Sequence, residues 1–457
     1  MQRDLTQGSI TRVMLLFAVP MVLGNLLQQL YNVVDTLIVG QYLGSTALAA
    51  VGSSFTLMTF LQYIIIGLCM GCGALFSMRY GARDEEELKR TVFLSFVFIA
   101  AVTVVLNVLV LVFLDPILVL MQFNADTIGL AREYLFAIFC GLAFTFLYNF
   151  FAAFLRSIGN SVVPLVFLAI SAGLNIVLDL VFILPLDMGV AGAAWATTLS
   201  QGVSAVCITV YGFWKTPLLR VARRHMALDW KRMGGIVQYS LLTCVQQSVM
   251  NFGILMIQGL VNTFGTSVMA AFAAAVKIDA FAYRPVQDFG DAFSTFLSQN
   301  YGAARPDRIR GGVRSAVRTA VIFSLVISAA VVIFARPLLY LFIDPAETEI
   351  IAIGVQYLRI EGACYCGIGI LFLLYGLYRG IARPAMSVVL TVLSLGTRVA
   401  LSYALAPLPA FGVVAIWWSI PIGWALADAV GFLYYWFKVR PGLLAGERAA
   451  GELPRKT

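Results

Sequence analysis

Charged residues are scarce in this sequence. They make up 12% of its 457 residues, and hydrophobic residues make up 61%, whereas soluble domains are about one-quarter charged. Such a composition excludes an ordinary soluble domain and predicts a chain that crosses a membrane several times. The net charge of +8 does not indicate a nucleic-acid partner, because the lysines and arginines lie mainly in short segments between apolar runs.

The side chains that build metal and redox sites are also few. There is one histidine, His225, in a basic segment, and the seven cysteines all lie in apolar runs. Cys69–Cys72 and Cys364–Cys366 lack the partners of a zinc or redox site, so we interpret these cysteines as buried small hydrophobes. Because the sequence also shows no nucleophile–base pair and no nucleotide-binding loop, we predict neither an enzyme nor a bound cofactor.

Long apolar runs are what the sequence has in abundance. A helix that crosses a bilayer needs about 20 mainly apolar residues. Twelve such segments can be drawn, at 14–39, 48–77, 91–114, 132–153, 162–184, 190–214, 236–261, 268–297, 317–335, 354–376, 386–406 and 410–437. The first shows no clear small-residue cleavage site, so we interpret it as a retained helix. The fold class is therefore predicted to be all-α, a polytopic membrane protein with twelve transmembrane helices.

Lysine and arginine indicate how these helices are oriented. Most of the 31 basic residues lie in the termini and in every second loop, and only Arg132, Arg336 and Arg359 lie in the other loops. Because cytoplasmic loops carry the excess of basic residues, we predict that both termini are cytoplasmic. The expected location is the plasma (cytoplasmic) membrane, the inner membrane of the cell.

The second half of the chain repeats motifs of the first. "YGARDEEELKR" is echoed by "YGAARPDRIRGGVR", "FLRSIGNSVVPL" by "LYRGIARPAMSVV" and "MGVAGAAW" by "FGVVAIWW". The offset is nearly constant, and it pairs Gly81 with Gly302, Arg156 with Arg379 and Gly189 with Gly412. We therefore predict two pseudo-symmetric six-helix bundles, 1–217 and 218–457, with a basic connecting loop at about 215–235. Six helices per half make this a parallel repeat about an axis along the membrane normal, and such halves alternate the access to a site that they enclose.

Asp35 stands near the middle of an apolar run. An aspartate at the centre of a membrane helix costs roughly 2.5–3.5 kcal/mol, so such a residue is a candidate for function. Gln28, Tyr31, Asn32 and Asp35 are spaced i, i+3, i+4 and i+7, which places them on one helix face. Pro20 removes a backbone hydrogen bond from the same helix and predicts a bend. A structural polar seam between helices is the alternative.

The fifth and sixth segments offer partners for Asp35. Ser171, Asn175 and Asp179 recur every four residues, and Thr197 and Thr198 follow a run of small residues that permits close packing. Two carboxylates with an amide and hydroxyls can hold a sodium ion, or they can share a proton. Both possibilities describe a coupling-ion site.

The second half does not duplicate these acids, but it has charges of its own. At the repeat offsets, Met256 stands for Asp35, Arg398 for Asn175 and Ser402 for Asp179. The eighth segment carries a one-face stripe of mixed sign formed by Lys277, Arg284, Asp288 and Asp291, whereas Asp279 points elsewhere. One interpretation is that the stripe lines a water-filled cavity. The alternatives are a packed ion-pair seam and a helix end near the membrane interface.

Several segments resemble the multidrug and toxic compound extrusion (MATE) family of prokaryotic transporters, over about residues 5–440. The most specific are "VPMVLGNLLQQLYNVVDTLIVGQYLGSTALAAVG", "RYGARD", "FLRSIGNSVVPL" and "GLNIVLDLVFILPLDMGVAGAAWATTLSQ". The resemblance implies two six-helix bundles. It also implies a secondary antiporter that exports amphipathic, cationic drugs or toxic compounds in exchange for H⁺ or Na⁺. The expected partners are this small-molecule substrate and membrane lipid, and the chain is expected to be a monomer.

The resemblance to the DinF-like and MepA-like members also assigns residues. It implies a coupling-ion site formed by Asp35, Asn175, Asp179, Thr197 and Tyr134. Pro20 matches a first-helix proline that is linked to bending. We further predict a substrate cavity that includes Gln28, Tyr31, Asn32, Gln246, Arg284, Asp288, Asp291 and Arg398.

Two departures keep other interpretations open. The NorM-like branch uses acids on the seventh and tenth helices, whereas this sequence has Gln246 and Gln247 in the seventh and only Glu361, placed early, in the tenth. The alternative function is a lipid-linked oligosaccharide flippase of the same superfamily, because flippases carry cationic cavities. Twelve helices and two acids in the first half weigh against it.

Overall fold

The computed structural model describes residues 3–121, 123 and 125–444. Every regular element within these residues is a helix, and no strand occurs among them. In this part of the chain, ten helices are long and apolar enough to cross a membrane, and two bent helix pairs complete twelve spans if each pair is one span. The prediction of an all-α polytopic membrane protein is confirmed.

The twelve spans are labelled α1 to α12 in chain order. They are α1 (Ile10–Gly44), α2 (Thr46–Gly81), α3 (Glu85–Val112), α4 (Asp126–Cys140 with Leu142–Ser157), α5 (Val162–Ile183), α6 (Gly189–Lys215), α7 (Trp230–Asn262), α8 (Thr266–Gly302), α9 (Pro306–Leu339), α10 (Thr348–Ala363 with Tyr365–Gly380), α11 (Pro384–Leu405) and α12 (Gly412–Gly442). A short helix, Leu114–Leu120, follows α3. Each span contains most or all of its predicted segment.

The backbone repeats the same irregularities in both halves. Residues with a positive φ angle occur in four corresponding pairs, which are Gly44 and Gly265, Arg83 and Ala304, Gly159 and Ala382, and Gly189 and Gly412. The bent spans α4 and α10 break at Gly141 and Cys364, with bends of 42° and 51°. Each of these pairs follows the same offset as the sequence motifs. The repeat predicted from the sequence therefore extends to turns and helix breaks.

Contacts divide the chain into two compact units. The first unit contains Leu23–Cys244 and the described residues before Leu5, and the second contains Leu5–Val22 and the described residues from Val245 onward. The N-terminal part of α1 thus packs within the second unit, and the N-terminal part of α7 packs within the first. The predicted lobes, 1–217 and 218–457, follow the sequence repeat rather than these contacts and stay a prediction.

Small residues bring α2 and α7 together in the first unit. A Cβ atom added to Gly67 would lie 2.7 Å from Cα of Cys244, and one added to Gly71 would lie 2.7 Å from Cα of Ser240. Glycines four residues apart on a helix let two backbones approach closely in a membrane. The approach also places Cys72 Sγ 3.1 Å from Ser240 Oγ, which gives two buried polar groups a partner.

The segment between α6 and α7 is fixed to the start of α3. His225 is only 1% exposed, and its Nε2 lies 2.7 Å from a carboxylate oxygen of Glu86. The other oxygen of Glu86 accepts a hydrogen bond of 2.7 Å from Arg224. The only histidine of the chain therefore holds the basic segment against a helix terminus.

Glycines also set the spacing of α8 and α10 in the second unit. A Cβ atom at Gly376 would overlap the carbonyl oxygen of Gly290, and one at Gly290 would lie 2.9 Å from the carbonyl oxygen of Phe372. Because these obstacles are backbone atoms, they cannot move aside as the end of a side chain can. This contact fixes the spacing of the two helices that carry Asp279 and Glu361.

We predict that Gly376→Ala destabilises the protein by about 1–3 kcal/mol, the usual cost of overpacking. The matched control is Gly396→Ala on α11, where no atom lies within 4 Å of the added Cβ and alanine favours the helix. Thermal unfolding of the two detergent-purified variants measures the difference. Equal melting temperatures for both variants and the parent protein would contradict the close approach of α8 and α10.

Candidate functional site

Asp35 of α1 and Asp179 of α5 meet inside the first unit. Their carboxyl groups lie within hydrogen-bonding distance of each other, and Asp179 is fully buried. Among the described residues, no hydrogen-bond donor reaches Asp35 Oδ1 or either carboxylate oxygen of Asp179. Two ionised carboxylates placed in this way repel each other strongly in a medium of low dielectric constant. A proton or a cation between them removes the repulsion.

Asn175 and Thr197 add an amide and a hydroxyl to this pair. Asn175 lies one turn before Asp179 on α5, and its Nδ2 donates a hydrogen bond of 3.3 Å to Thr197 Oγ1 on α6. The bond orients the amide and leaves Asn175 Oδ1 buried without a donor from the described residues. Thr198 is directed elsewhere, because its hydroxyl donates to the carbonyl oxygen of Ala137 at 2.9 Å. Thr197 is therefore the threonine that contributes to the site.

Two tyrosines lie beside the carboxylates. Tyr31, one turn before Asp35, hydrogen-bonds to Gln28 and Gln201 and interacts electrostatically with Asp35 and Asp179. Tyr134 of α4, only 4% exposed, interacts electrostatically with both aspartates. The structure thus brings the five predicted coupling-ion residues into one neighbourhood.

The sequence interpretation missed one member of this neighbourhood. Gln201 follows Thr197 by four residues on α6, so both lie on the same helix face. Its Oε1 accepts a hydrogen bond of 3.0 Å from Thr145 Oγ1, which orients its amide toward Tyr31. The spacing of four residues from Thr197 was the signal that could have identified it.

Two predictions for α1, which concern Asn32 and Pro20, are not tested by the structure. The described contacts of the site do not include the Asn32 side chain, although Gln28 and Tyr31 from the same face take part. Pro20 lies within continuous helix, and the only non-helical backbone inside Ile10–Gly81 is at Gly44. A bend at Pro20 and substrate contact by Asn32 stay predictions.

The oxygen atoms at the carboxylate pair suit a hard cation as well as a proton. Asp35 Oδ1, both carboxylate oxygens of Asp179 and Asn175 Oδ1 are buried and lack hydrogen-bond donors among the described residues. Carboxylate and amide oxygens are the ligands that hard cations prefer. The residues present therefore fit a sodium ion, and they fit a shared proton equally well.

The charged stripe of α8 separates into different environments. Asp291 forms an ion pair with Arg379 of α10, which also donates a hydrogen bond to Ser294. The Lys277 ammonium lies 5.8 Å from the ring centre of Phe342. The ion pair fits the packed-seam alternative for Asp291. Arg284 is half-buried, Asp288 and Gln246 are buried, and their contact with substrate stays a prediction.

A second pair of acids, missed by the sequence interpretation, lies in the second unit. Asp279 of α8 and Glu361 of α10 approach within hydrogen-bonding distance, and the Tyr365 hydroxyl donates to Asp279. The two acids lie on helices that are separated in the sequence by the whole of α9, so no local pattern joins them. The spacing of Tyr357, Glu361 and Tyr365 at four-residue intervals on α10 was the available signal.

Comparisons with known proteins agree with this architecture. The MatE family model matches residues 20–181 and 241–404. The probable multidrug resistance protein YpnP of Bacillus subtilis (strain 168) is 30% identical over 434 residues, 94% of this chain and 96% of that protein. The multidrug export protein MepA of Staphylococcus aureus (strain NCTC 8325 / PS 47) is 22% identical over 429 residues, 93% of this chain and 94% of that protein.

A solved structure gives the same result at the level of the fold. The chain is similar to the outward-facing conformation of a multidrug resistance MATE family transporter of the MOP superfamily. The TM-score is 0.89 and the sequence identity is 25%, over 97% of this chain and 98% of that chain. The resemblance seen in the sequence is confirmed, because the family model matches both halves of the repeat. The chain belongs to the MatE family, the multidrug and toxic compound extrusion transporters.

Proposed function

We propose that this multi-pass membrane protein is a secondary antiporter that exports amphipathic, cationic compounds in exchange for H⁺ or Na⁺ by alternating access. The observation that carries the proposal is the approach of the half-buried Asp35 to the fully buried Asp179. Asp35 Oδ1 and both carboxylate oxygens of Asp179 are buried and lack donors among the described residues. The names of the relatives, which are multidrug resistance and multidrug export proteins, favour efflux over the flippase alternative. We also propose that both termini are cytoplasmic and that the chain acts as a monomer.

The carboxylate pair supplies a mechanism for coupling. Without an ion, repulsion between Asp35 and Asp179 disfavours the close approach of α1 and α5. A bound proton or sodium ion removes that repulsion and favours a conformation in which α1 bends at Pro20. The face of α1 that carries Gln28 and Tyr31 then moves and displaces the substrate. The ion can shift this equilibrium only by its differential affinity for the two conformations.

We expect Asp35→Asn and Asp179→Asn each to lower ion-driven transport by about tenfold or more, since coupling between sites is typically worth 5–150-fold. An amide has the shape of the carboxylate but cannot bind a proton or balance a cation. The matched control is Asp115→Asn, an acid that is exposed and paired with Arg132. Uptake of a fluorescent organic cation into energised inverted vesicles measures the three variants, because the cytoplasmic face of the protein points outward in such vesicles.

Wild-type rates in both site variants would exclude this coupling mechanism. The flippase alternative has its own readout, which is complementation of a flippase-deficient strain. Complementation by the wild-type chain without any efflux activity would reject the antiporter.

Thr197→Val should raise the ion concentration needed for half-maximal transport by about two- to tenfold, which is the change expected from the loss of one hydrogen bond. The variant keeps the shape of the side chain but removes the acceptor that orients Asn175. Thr209→Val on the same helix is the control, because that hydroxyl donates a hydrogen bond to the carbonyl oxygen of Ala205 in its own helix. Ion titrations that coincide for the two variants would place Thr197 outside the ion site.

Proteoliposomes with separately imposed gradients identify the coupling ion. Substrate transport driven by a proton gradient without sodium identifies H⁺, and transport driven by a sodium gradient at equal pH on both sides identifies Na⁺. In either case we expect Asp179→Asn to abolish the response. Transport that persists without both gradients would contradict secondary antiport.

A further inference from the structure

The Asp279–Glu361 pair of the second unit has a partner that the first-unit pair lacks. Asp279 is 2% exposed and Glu361 is 4% exposed. The guanidinium of Arg398 on α11 interacts electrostatically with both carboxylates. Tyr357 and Tyr365 provide hydroxyls on the α10 side of the same cluster. Two acids and one fixed cation thus come from three helices of one unit.

The internal repeat shows what is unusual about this arrangement. Arg398 corresponds to Asn175 at the repeat offset, which also relates the turns and helix breaks of the two halves. In the first unit that position carries a neutral amide beside two carboxylates. In the second unit it carries a permanent positive charge beside two carboxylates, since arginine stays protonated in proteins. The two carboxylates and the residue at this repeat position therefore carry a different total charge in each unit.

Unsatisfied atoms indicate that the second cluster still takes a ligand. Glu361 Oε1 and Asp279 Oδ2 are buried and receive no hydrogen bond from the described residues. Two carboxylates and one guanidinium leave a single excess negative charge. One proton on a carboxylate oxygen cancels that charge and supplies the missing donor between the two acids.

We propose that Arg398 is a built-in counter-cation that keeps sodium out of the Asp279–Glu361 pair, so that this pair binds one proton and no metal ion. A metal ion would enter a cluster that already holds one fixed positive charge, and two cations at close range in a low-dielectric interior repel strongly. A proton bound to oxygen neutralises one carboxylate and leaves the charge of the other carboxylate balanced by the charge of Arg398.

The remaining titratable groups near the pair do not alter this charge balance. Tyr357 and Tyr365 on α10 and Cys364 at the break of α10 interact with the acids, and Tyr283 on α8 interacts with Tyr365. Tyrosine hydroxyls and a cysteine thiol are neutral at physiological pH. The inference concerns a cluster outside the Asp35–Asp179 site and goes beyond the proposed function, because it concerns ion binding and requires no transport.

The test is sodium-dependent thermal stability of the full-length protein purified in detergent. All variants carry Asp35→Asn and Asp179→Asn, which removes the contribution of the first-unit pair. Unfolding is measured with roughly 100 mM sodium or with choline at equal ionic strength, because a cation that binds only the folded state raises the melting temperature. We expect no sodium shift with Arg398 in place and a shift of about 2–4 °C in Arg398→Gln.

Two controls connect the expected shift to charge. Arg398→Lys keeps the positive charge and should show no sodium shift. Arg398→Gln combined with Glu361→Gln restores the original net charge and should also show none. If Arg398→Gln alone does not fold, recovery of folded protein by the added Glu361→Gln supports the counter-cation role, and failure of both to fold contradicts it.

Infrared spectroscopy tests the proton separately. At neutral pH, we expect the protein with Arg398 in place to show a protonated-carboxyl band that Glu361→Gln and Asp279→Asn together remove. A sodium shift with Arg398 in place that Glu361→Gln abolishes would overturn the proposal. A folded Arg398→Gln protein without a sodium shift, or the absence of the carboxyl band, would overturn it as well.

Discussion

A carboxylate inside a membrane protein needs a proton or a positive charge within reach, and the arrangement of both units follows from this requirement. Leaving an ionised acid without compensation in a low-dielectric interior costs several kcal/mol. Asp35 and Asp179 face each other with no fixed cation beside them among the described residues, so we propose that a mobile ion supplies the compensation. Asp279 and Glu361 have Arg398, which supplies part of the compensation from the chain itself.

The two halves keep one backbone plan while their charges differ. Left-handed residues and helix breaks recur at the offset of the sequence repeat. Side chains at corresponding positions can differ, because a helix accommodates an amide or a guanidinium at the same backbone position. Asn175 and Arg398 show the consequence, because one backbone position contributes to the proposed coupling-ion site in one half and a permanent positive charge near two acids in the other.

Close helix packing determines how accurately these groups are held. Gly67 and Gly71 bring α2 and α7 together, and Gly290 and Gly376 do the same for α8 and α10. Without side chains between the backbones, the helices cannot slide apart without losing many contacts. Asp279 and Glu361 therefore stand on closely packed helices, whereas α1, which carries Asp35 and contributes to both units, is the element proposed to move.

The sequence by itself determined the all-α membrane fold and the internal repeat, and it identified Asp35, Asn175 and Asp179 as neighbours in the proposed ion site. Bilayer thickness requires long apolar helices, and Asn175 and Asp179 lie one turn apart on a single helix, so local patterns were sufficient. Only the tertiary structure decided that Asp279 meets Glu361 beside Arg398 and that α1 and α7 divide their length between two units. Those outcomes depend on which helix faces meet, and the packing of distant segments determines that.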